Sequence, residues 1–281
     1  MHGVRKAMHD RDTFGNLLLF ALIALQLGGP ALPFLGQPPG YHAFADTRAL
    51  AGIANAADVL SNLGFLLAAL AGAWTLLRLP DTAVARERDQ RRACAVFFAG
   101  LALTAAGSAY YHLAPDDGRL VWDRLPMTIV FAGAFASVGA AKYPRVWSAR
   151  LLVLMLLSAP MSVVWWAVSG NLAWYVAVQF GGLLWLAVSL LALRTRREQQ
   201  PYVRAWLWAL LCYGFAKGFE LGDGVIWQSS GGLLGGHALK HLAAALPGFW
   251  LVLALRRAAE QQAGRPGAAA DGAQLQLQPG T

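Results

Sequence analysis

Long apolar runs are the feature that most constrains the fold of this chain. Eight stretches of mostly apolar residues, separated by polar or basic breaks, lie at approximately 14–35, 55–79, 93–114, 124–141, 149–168, 172–193, 203–221 and 237–255. A helix needs about 20 apolar residues to cross the hydrocarbon core of a bilayer, so each run has roughly the length of a span. Only 14% of the 281 residues are charged, whereas a soluble domain has about 25%. The predicted fold class is therefore all-α, a polytopic bundle of transmembrane helices.

The distribution of basic residues predicts how the bundle is oriented. Lys and Arg outnumber Asp and Glu by 23 to 15, an excess that occurs in nucleic-acid-binding proteins and in the cytoplasmic loops of membrane proteins. Here the basic residues precede the first run and then cluster in every second loop, at 86–92, 142–150, 194–204 and 256–257. This alternation predicts that both termini are cytoplasmic, and we expect no nucleic-acid partner. The Ala-, Gly- and Arg-rich composition suggests a bacterial inner membrane.

The first run has two interpretations. Arg5 and Lys6 precede it, as basic residues precede the apolar core of a signal peptide. We favour a retained helix, because apolar residues continue past Pro30 and no Ala-x-Ala cleavage site closes the run. The chain then divides into an N-terminal helix with an outer loop (1–53), a seven-helix core (54–257) and a tail (258–281). The tail is rich in Ala, Gly, Gln and Pro without apolar periodicity, so we expect it to be disordered.

Three histidines in the core runs have the spacing of a metal site. His237 and His241 are four residues apart, so on a helix both imidazoles project from one face. His112 ends the third run, and the predicted orientation places it at the same, non-cytoplasmic end of the bundle. Three imidazoles with one open position for water form the ligand set of a catalytic zinc. A single histidine at a helix end is as often structural, but the joint arrangement favours a metal. Haem is disfavoured, because two histidines on one helix face cannot approach it from opposite sides.

Ser108 and Asp123 lie close to these histidines in the sequence, and each has two possible roles. Ser108 is four residues before His112, where its hydroxyl could donate to an oxyanion or could bond its own backbone. Asp123 could carry protons in catalysis, or could cap the fourth helix ahead of Pro126. We favour the catalytic role of Asp123 because of its neighbours.

Two further polar sets fall inside the apolar runs. Lys217 and Glu220, followed by Asp223, are spaced by three and share one helix face. They form either an ion pair that lets Lys217 lie within the bilayer or a cavity wall that contacts a lipid headgroup. Asp58, Ser61 and Asn62 either form interhelical hydrogen bonds or orient a ligating histidine. The outer loop, 36–54, is long enough to lie over the site.

This pattern of residues resembles that of the alkaline ceramidases and, more broadly, of the membrane hydrolase superfamily that also contains the adiponectin and progestin receptors. The shared motif is Ser-x-x-x-His near the end of one helix, an Asp at the start of the next and His-x-x-x-His in the last, here Ser108, His112, Asp123, His237 and His241. The segments 122–127 and 58–62 resemble the Asp-Glu-x-Pro-Met and Asn-Thr-x-Ser-Asn segments of that family. The likeness covers approximately residues 54–255.

The resemblance implies a seven-helix bundle that holds Zn²⁺ through the three histidines and hydrolyses the amide of ceramide or a related membrane lipid. The helix at 14–35 is an addition to those seven. Eukaryotic ceramidases also bind Ca²⁺ through an acidic cluster before the first core helix, whereas only Asp46 and Asp58 are available here. The resemblance therefore does not extend to calcium dependence. The leading hypothesis is a zinc-dependent lipid amidase, and the alternative is a membrane receptor of the same superfamily that retains zinc as a structural clamp.

Overall fold

The chain folds into a bundle of long helices, which confirms the predicted all-α fold class. The computed structural model describes residues 2–82 and 84–264. Within these ranges it contains no β-strand. The helices are α1 (His2–Gly28), α2 (Ala56–Ser61), α3 (Leu63–Arg78), α4 (Ala85–Leu113), α5 (Asp117–Lys142), α6 (Arg145–Ser169), α7 (Ala173–Val176), α8 (Gly182–Leu193), α9 (Gln200–Leu221), α10 (Asp223–Ser229) and α11 (Gly236–Ala263).

Seven segments of the described chain are long and apolar enough to cross a membrane, as in a multi-pass integral membrane protein. They match seven of the eight predicted spans. The eighth, predicted at 203–221, is helix α9, whose 22 residues extend about 33 Å. Arg204, Lys217 and Glu220 make α9 less apolar than the others, so length and composition support seven spans rather than eight. Helix α9 nevertheless packs along α11 within the bundle. Which end of the bundle faces the cytoplasm remains a prediction.

Several helix ends differ from the apolar runs that predicted them. Helix α1 begins at His2 rather than near residue 14, and α11 continues to Ala263 rather than ending near 255. Hydropathy marks only the part of a helix that needs lipid, and a helix can continue beyond it into water. The predicted tail at 258–281 lies outside the described residues from 265 onward. The run at 55–79 is interrupted at Asn62, whose side-chain amide donates to the Asp58 carbonyl oxygen at 2.8 Å and separates α2 from α3.

Small residues let the central helices approach closely. A Cβ atom on Gly133 of α5 would lie 2.5 Å from the backbone nitrogen of Phe97 in α4, and one on Gly100 of α4 would lie 2.7 Å from the backbone nitrogen of Val130. A Cβ on Gly248 of α11 would lie 2.7 Å from the Ala68 Cβ in α3. Glycines of this kind allow backbone contact between membrane helices. The close packing sets the relative positions of α3, α4, α5 and α11, which carry most of the candidate site.

Candidate metal centre

Three buried histidines from two helices meet at one end of the bundle. His112 lies in the last turn of α4, while His237 and His241 lie in the first two turns of α11. One ring nitrogen from each lies within 4.8 Å of the other two, and the three ring centroids are 4.8 to 4.9 Å apart. Tetrahedral zinc with Zn–N bonds of about 2.0 to 2.1 Å needs nitrogens about 3.3 Å apart, so small side-chain rotations suffice. The group could hold a metal ion, and no other such group occurs among the residues that the structure describes.

A hydrogen bond orients the ring of His241. Its Nδ1 lies 2.8 Å from the hydroxyl oxygen of Ser61, and that hydroxyl donates to the Asp58 carbonyl oxygen at 3.0 Å. Because the Ser61 hydrogen is engaged there, Nδ1–H of His241 is the donor and the hydroxyl oxygen accepts. This tautomer leaves the lone pair on Nε2 available to a metal, which is the usual arrangement behind a ligating histidine.

The ring of His112 faces a carboxylate. Its Nδ1 lies 4.0 Å from Oδ2 of Asp58, and both side chains are only 1% exposed. Neither carboxylate oxygen of Asp58 has a hydrogen-bond partner within the described part of the chain, and His112 Nδ1 has none either. A carboxylate behind a ligating imidazole raises its basicity and fixes its orientation, and leaves Nε2 as the ligand atom. This orphaned pair is the observation that best fits a metal on the opposite side of the ring.

Asp223 and Lys240 determine the surroundings of His237. The Asp223 carboxylate accepts hydrogen bonds at 2.9 Å from the backbone nitrogens of His237 and Ala45. Asp223 therefore holds the start of α11. The spacing of three had instead predicted that Asp223 would share one polar helix face with Lys217 and Glu220. The Lys240 ammonium lies 3.3 Å from His237 Nε2. Since an ammonium can only donate, Nε2 carries a lone pair.

Replacing Ser61 with alanine is expected to weaken metal binding without unfolding the bundle. The variant loses the group that fixes the His241 tautomer, and loss of such a partner costs about 10- to 100-fold in metal affinity. Competition with a zinc chelator of known affinity measures the change. Ser162→Ala is the matched control, because Ser162 is buried but donates only to its own backbone, to the Ala159 carbonyl oxygen at 2.6 Å. Equal affinities in both variants would contradict the role of Ser61.

Ser108 and Asp123 line the same cavity as His241. Ser108 is 1% exposed, and its hydroxyl does not bond its own backbone but lies close enough to the Asp123 carboxylate to interact with it. Asp123 is 8% exposed and lies within α5. The cap of that helix is Asp116, whose carboxylate accepts from the Arg119 backbone nitrogen at 2.8 Å. The alternative role of Asp123 as a helix cap is therefore wrong.

The cavity has a volume of about 290 Å³ and two chemically different ends. Its polar end contains Ser108, Asp123, Lys240 and His241. The rest of its wall is largely apolar and aromatic, and includes Phe97, Leu101, Phe131, Phe135, Leu186 and Trp206. A polar site at the end of an apolar cavity suits a ligand with a hydrocarbon chain and one reactive polar group.

The outer loop covers the histidines. The Phe44 ring centroid lies 4.3 Å from that of His237 and 4.8 Å from that of His112. Asp46 and Arg48 form an ion pair at 2.7 Å, and Arg48 also donates to the Leu233 carbonyl oxygen at 3.1 Å. The Arg48 guanidinium holds the pKa of the Asp46 carboxyl below its usual range. Together with the Ala45–Asp223 hydrogen bond, these contacts fasten the loop over the site.

The structure also locates the remaining residues that the sequence singled out. Asn62 bonds only backbone carbonyls of α2, through Asp58 and Val59, and does not contact a histidine. Lys217 and Glu220 form an ion pair and also line the cavity, whereas their contact with a lipid headgroup stays a prediction. The two acidic residues that the sequence offers for Ca²⁺ both have other neighbours: the Asp46 carboxylate is paired with Arg48, and the Asp58 carboxylate faces His112.

Three residues at the site went unnoticed in the sequence. Lys240 is the lysine within His-x-x-x-His, and a lysine in an apolar run is itself a signal of function. Arg124 gave the same signal at the start of the fourth run. Phe44 carried no signal, because its contact with the histidines depends on the path of an irregular loop.

A comparison of the chain with known protein families found no match, and a comparison with curated proteins found none.

Proposed function

We propose that this protein is a zinc-dependent intramembrane hydrolase that cleaves the amide of an N-acyl lipid such as ceramide. The observation that carries the proposal is the group of three buried histidines, of which His241 lines the polar end of an apolar cavity together with Ser108 and Asp123. Imidazole ligands also suit other transition metals, and the choice of zinc rests on the set of three histidines and on the resemblance to alkaline ceramidases.

The site residues have the chemistry that amide hydrolysis requires. Zinc held by His112, His237 and His241 would bring the pKa of a bound water to about 7. The Asp123 carboxylate accepts a proton from a water molecule as the water oxygen attacks the carbonyl carbon. Asp123 then passes that proton to the leaving nitrogen as the carbon–nitrogen bond breaks. The Ser108 hydroxyl donates to the carbonyl oxygen as negative charge develops there. One water is consumed, and a fatty acid and an amine are released.

The surroundings of the cavity support access from the membrane. The outer loop covers the histidines on the side that faces water, through Phe44. On the side wall, Phe180 lines the cavity and is also 49% exposed at the surface of the bundle. Tyr213 and Ala216 of α9 line the same wall. An acyl chain would therefore enter between the segment of α7 and α8 and helix α9.

Purified protein in detergent, loaded with zinc, should release fatty acid from at least one member of a panel of N-acyl lipids that includes ceramide. Protein stripped by prolonged dialysis against a chelator should be at least about 100-fold slower, and added Zn²⁺ should restore the rate. Mass spectrometry of the released fatty acid measures hydrolysis, and metal analysis of the same samples measures zinc. Protein that holds one zinc per chain but cleaves no lipid in the panel would instead support a receptor.

A further inference from the structure

The polar end of the cavity contains more positive charge than its own acidic groups neutralise. The Glu220 carboxylate contacts two ammonium groups, that of Lys240 at 2.8 Å and that of Lys217 in the same helix. The Lys240 and Glu220 side chains are each only 18% exposed. One carboxylate balances one ammonium, so this ion-pair group keeps one positive charge.

Arg124 adds a second cation to the same wall. Its guanidinium stacks on Trp166 and Tyr175, with 4.2 and 5.4 Å from its central carbon to the ring centroids, and donates to the neutral amide oxygen of Gln37 at 2.8 Å. Arg124 is 3% exposed, its Nη1 has no hydrogen-bond partner, and it forms no ion pair with any residue that the structure describes.

Asp123 is the remaining charged group of the wall, and it does not balance the two cations. It interacts electrostatically with both Lys240 and Arg124. Lys217, Lys240 and Arg124 against Glu220 and Asp123 leave one net positive charge on the cavity wall. The Asp58 carboxylate also interacts electrostatically with Lys240, but it lies behind His112 and does not line the cavity. A buried cation such as Arg124, which no carboxylate of the described residues contacts in an ion pair, is costly within a membrane bundle, and it is usually retained because a ligand or a function offsets that cost.

We propose that the lipid amide carries an anionic group on its amine side, close to the amide, and that Lys240 binds this group with Lys217 and Arg124 adding to the positive field. This inference rests on the proposed function and names the class of substrate. The position of Lys240 limits where the anion lies. Its ammonium is 3.3 Å from His237 Nε2, so an anion hydrogen-bonded to it lies beside the metal centre. A carboxylate one carbon from the amide nitrogen, as in an N-acyl amino acid, meets that requirement.

A binding experiment tests the inference independently of hydrolysis. N-palmitoylglycine and N-palmitoylglycinamide have the same size and differ in charge, and calorimetric titration of metal-free protein in detergent measures the affinity for each. We expect the carboxylate to bind about 10- to 100-fold more tightly, because a hydrogen bond to a charged group has roughly that effect. Lys240→Met should remove most of the difference. Equal affinities for the two lipids in the unmodified protein would overturn the inference.

A second variant and a control protect this test against misfolding. Lys217→Met removes a charge from the same ion-pair group but on α9, the helix that carries none of the three histidines. This variant should reduce the preference for the carboxylate. Arg119→Met removes a cation from outside the cavity, one that pairs with Asp116 at 3.5 Å, and should leave the preference unchanged. A preference that survives both lysine substitutions would contradict the inference.

Hydrolysis of the same two lipids separates the inference from the proposed function. Zinc-loaded protein should cleave N-palmitoylglycine with the higher kcat/KM. If the protein binds the carboxylate preferentially but cleaves no N-acyl lipid, the proposed hydrolase function fails while the anion site stands. If it cleaves both lipids with equal kcat/KM and binds them equally, the hydrolase function stands and the anion site fails.

Discussion

His237→Ala is expected to lower the metal content from about one ion per chain to near zero and to abolish hydrolysis. A catalytic zinc site usually has three protein ligands, and the variant keeps only two. His237 is also the ring over which Phe44 lies, at a centroid distance of 4.3 Å. Metal analysis of protein purified in parallel, together with fatty-acid release under single-turnover conditions, measures both effects.

His42→Ala is the matched control for this substitution. His42 lies in the outer loop, where its ring bonds the Tyr111 hydroxyl at 2.8 Å and Asp117 at 3.2 Å, outside the group of three histidines. The control should keep its metal and most of its activity. A His237→Ala protein that retains stoichiometric metal, or that cleaves lipid at the original rate, would refute the assignment of the site.

Asp123→Asn is expected to keep the metal and lose the chemistry. The amide has nearly the same shape as the carboxylate but cannot accept and pass on a proton, and loss of such a group costs about 10²- to 10⁴-fold in rate. Because Asp123 is not one of the three candidate ligands, the metal content should remain near that of the unmodified protein. Single-turnover rates and metal analysis on one sample distinguish this result from loss of the ion.

Asp117→Asn serves as the control in the same helix. Asp117 lies in the first turn of α5, its side chain is 71% exposed, and it interacts with His42 rather than with the cavity. Its replacement should change the rate by less than about twofold, since substitutions of exposed groups have small effects. A fully active Asp123→Asn protein would show that Asp123 is a structural residue, and the proposed proton transfer would then need another group.

The parts of this molecule that follow from local geometry were predictable from sequence. Apolar runs near 20 residues indicate membrane helices, and a spacing of four places two histidines on one face, so the fold class and the pair in α11 needed no tertiary information. The convergence of His112 on that pair was predictable only because alternate basic loops assign helix ends to sides of the membrane. Conversely, hydropathy could not place the break at Asn62, where a side-chain amide replaces regular helix bonding.

The contacts behind the ligands depend on helix rotation, which sequence patterns do not provide. Asp58 and Ser61 were both recognisable as groups that could orient a histidine. That Asp58 faces His112 while Ser61 bonds His241 follows only from the way α2 packs between α4 and α11. The ion pair of Lys240 with Glu220 has the same origin, because it joins residues of α9 and α11 that are 20 positions apart. Such contacts decide which charges remain unbalanced on the cavity wall, and hence which class of ligand we propose for it.

The fastened outer loop has a kinetic consequence. Phe44 covers His112 and His237, and the loop that carries it is held by Asp223 and by the ion pair of Asp46 with Arg48. An ion coordinated beneath it can exchange with solvent only when those contacts break, however labile its bonds to the imidazoles are. Loss of the ion to a chelator should therefore be slow and independent of chelator concentration. Reloading of stripped protein with Zn²⁺ should be slow for the same reason, because the ion can enter only when the loop opens.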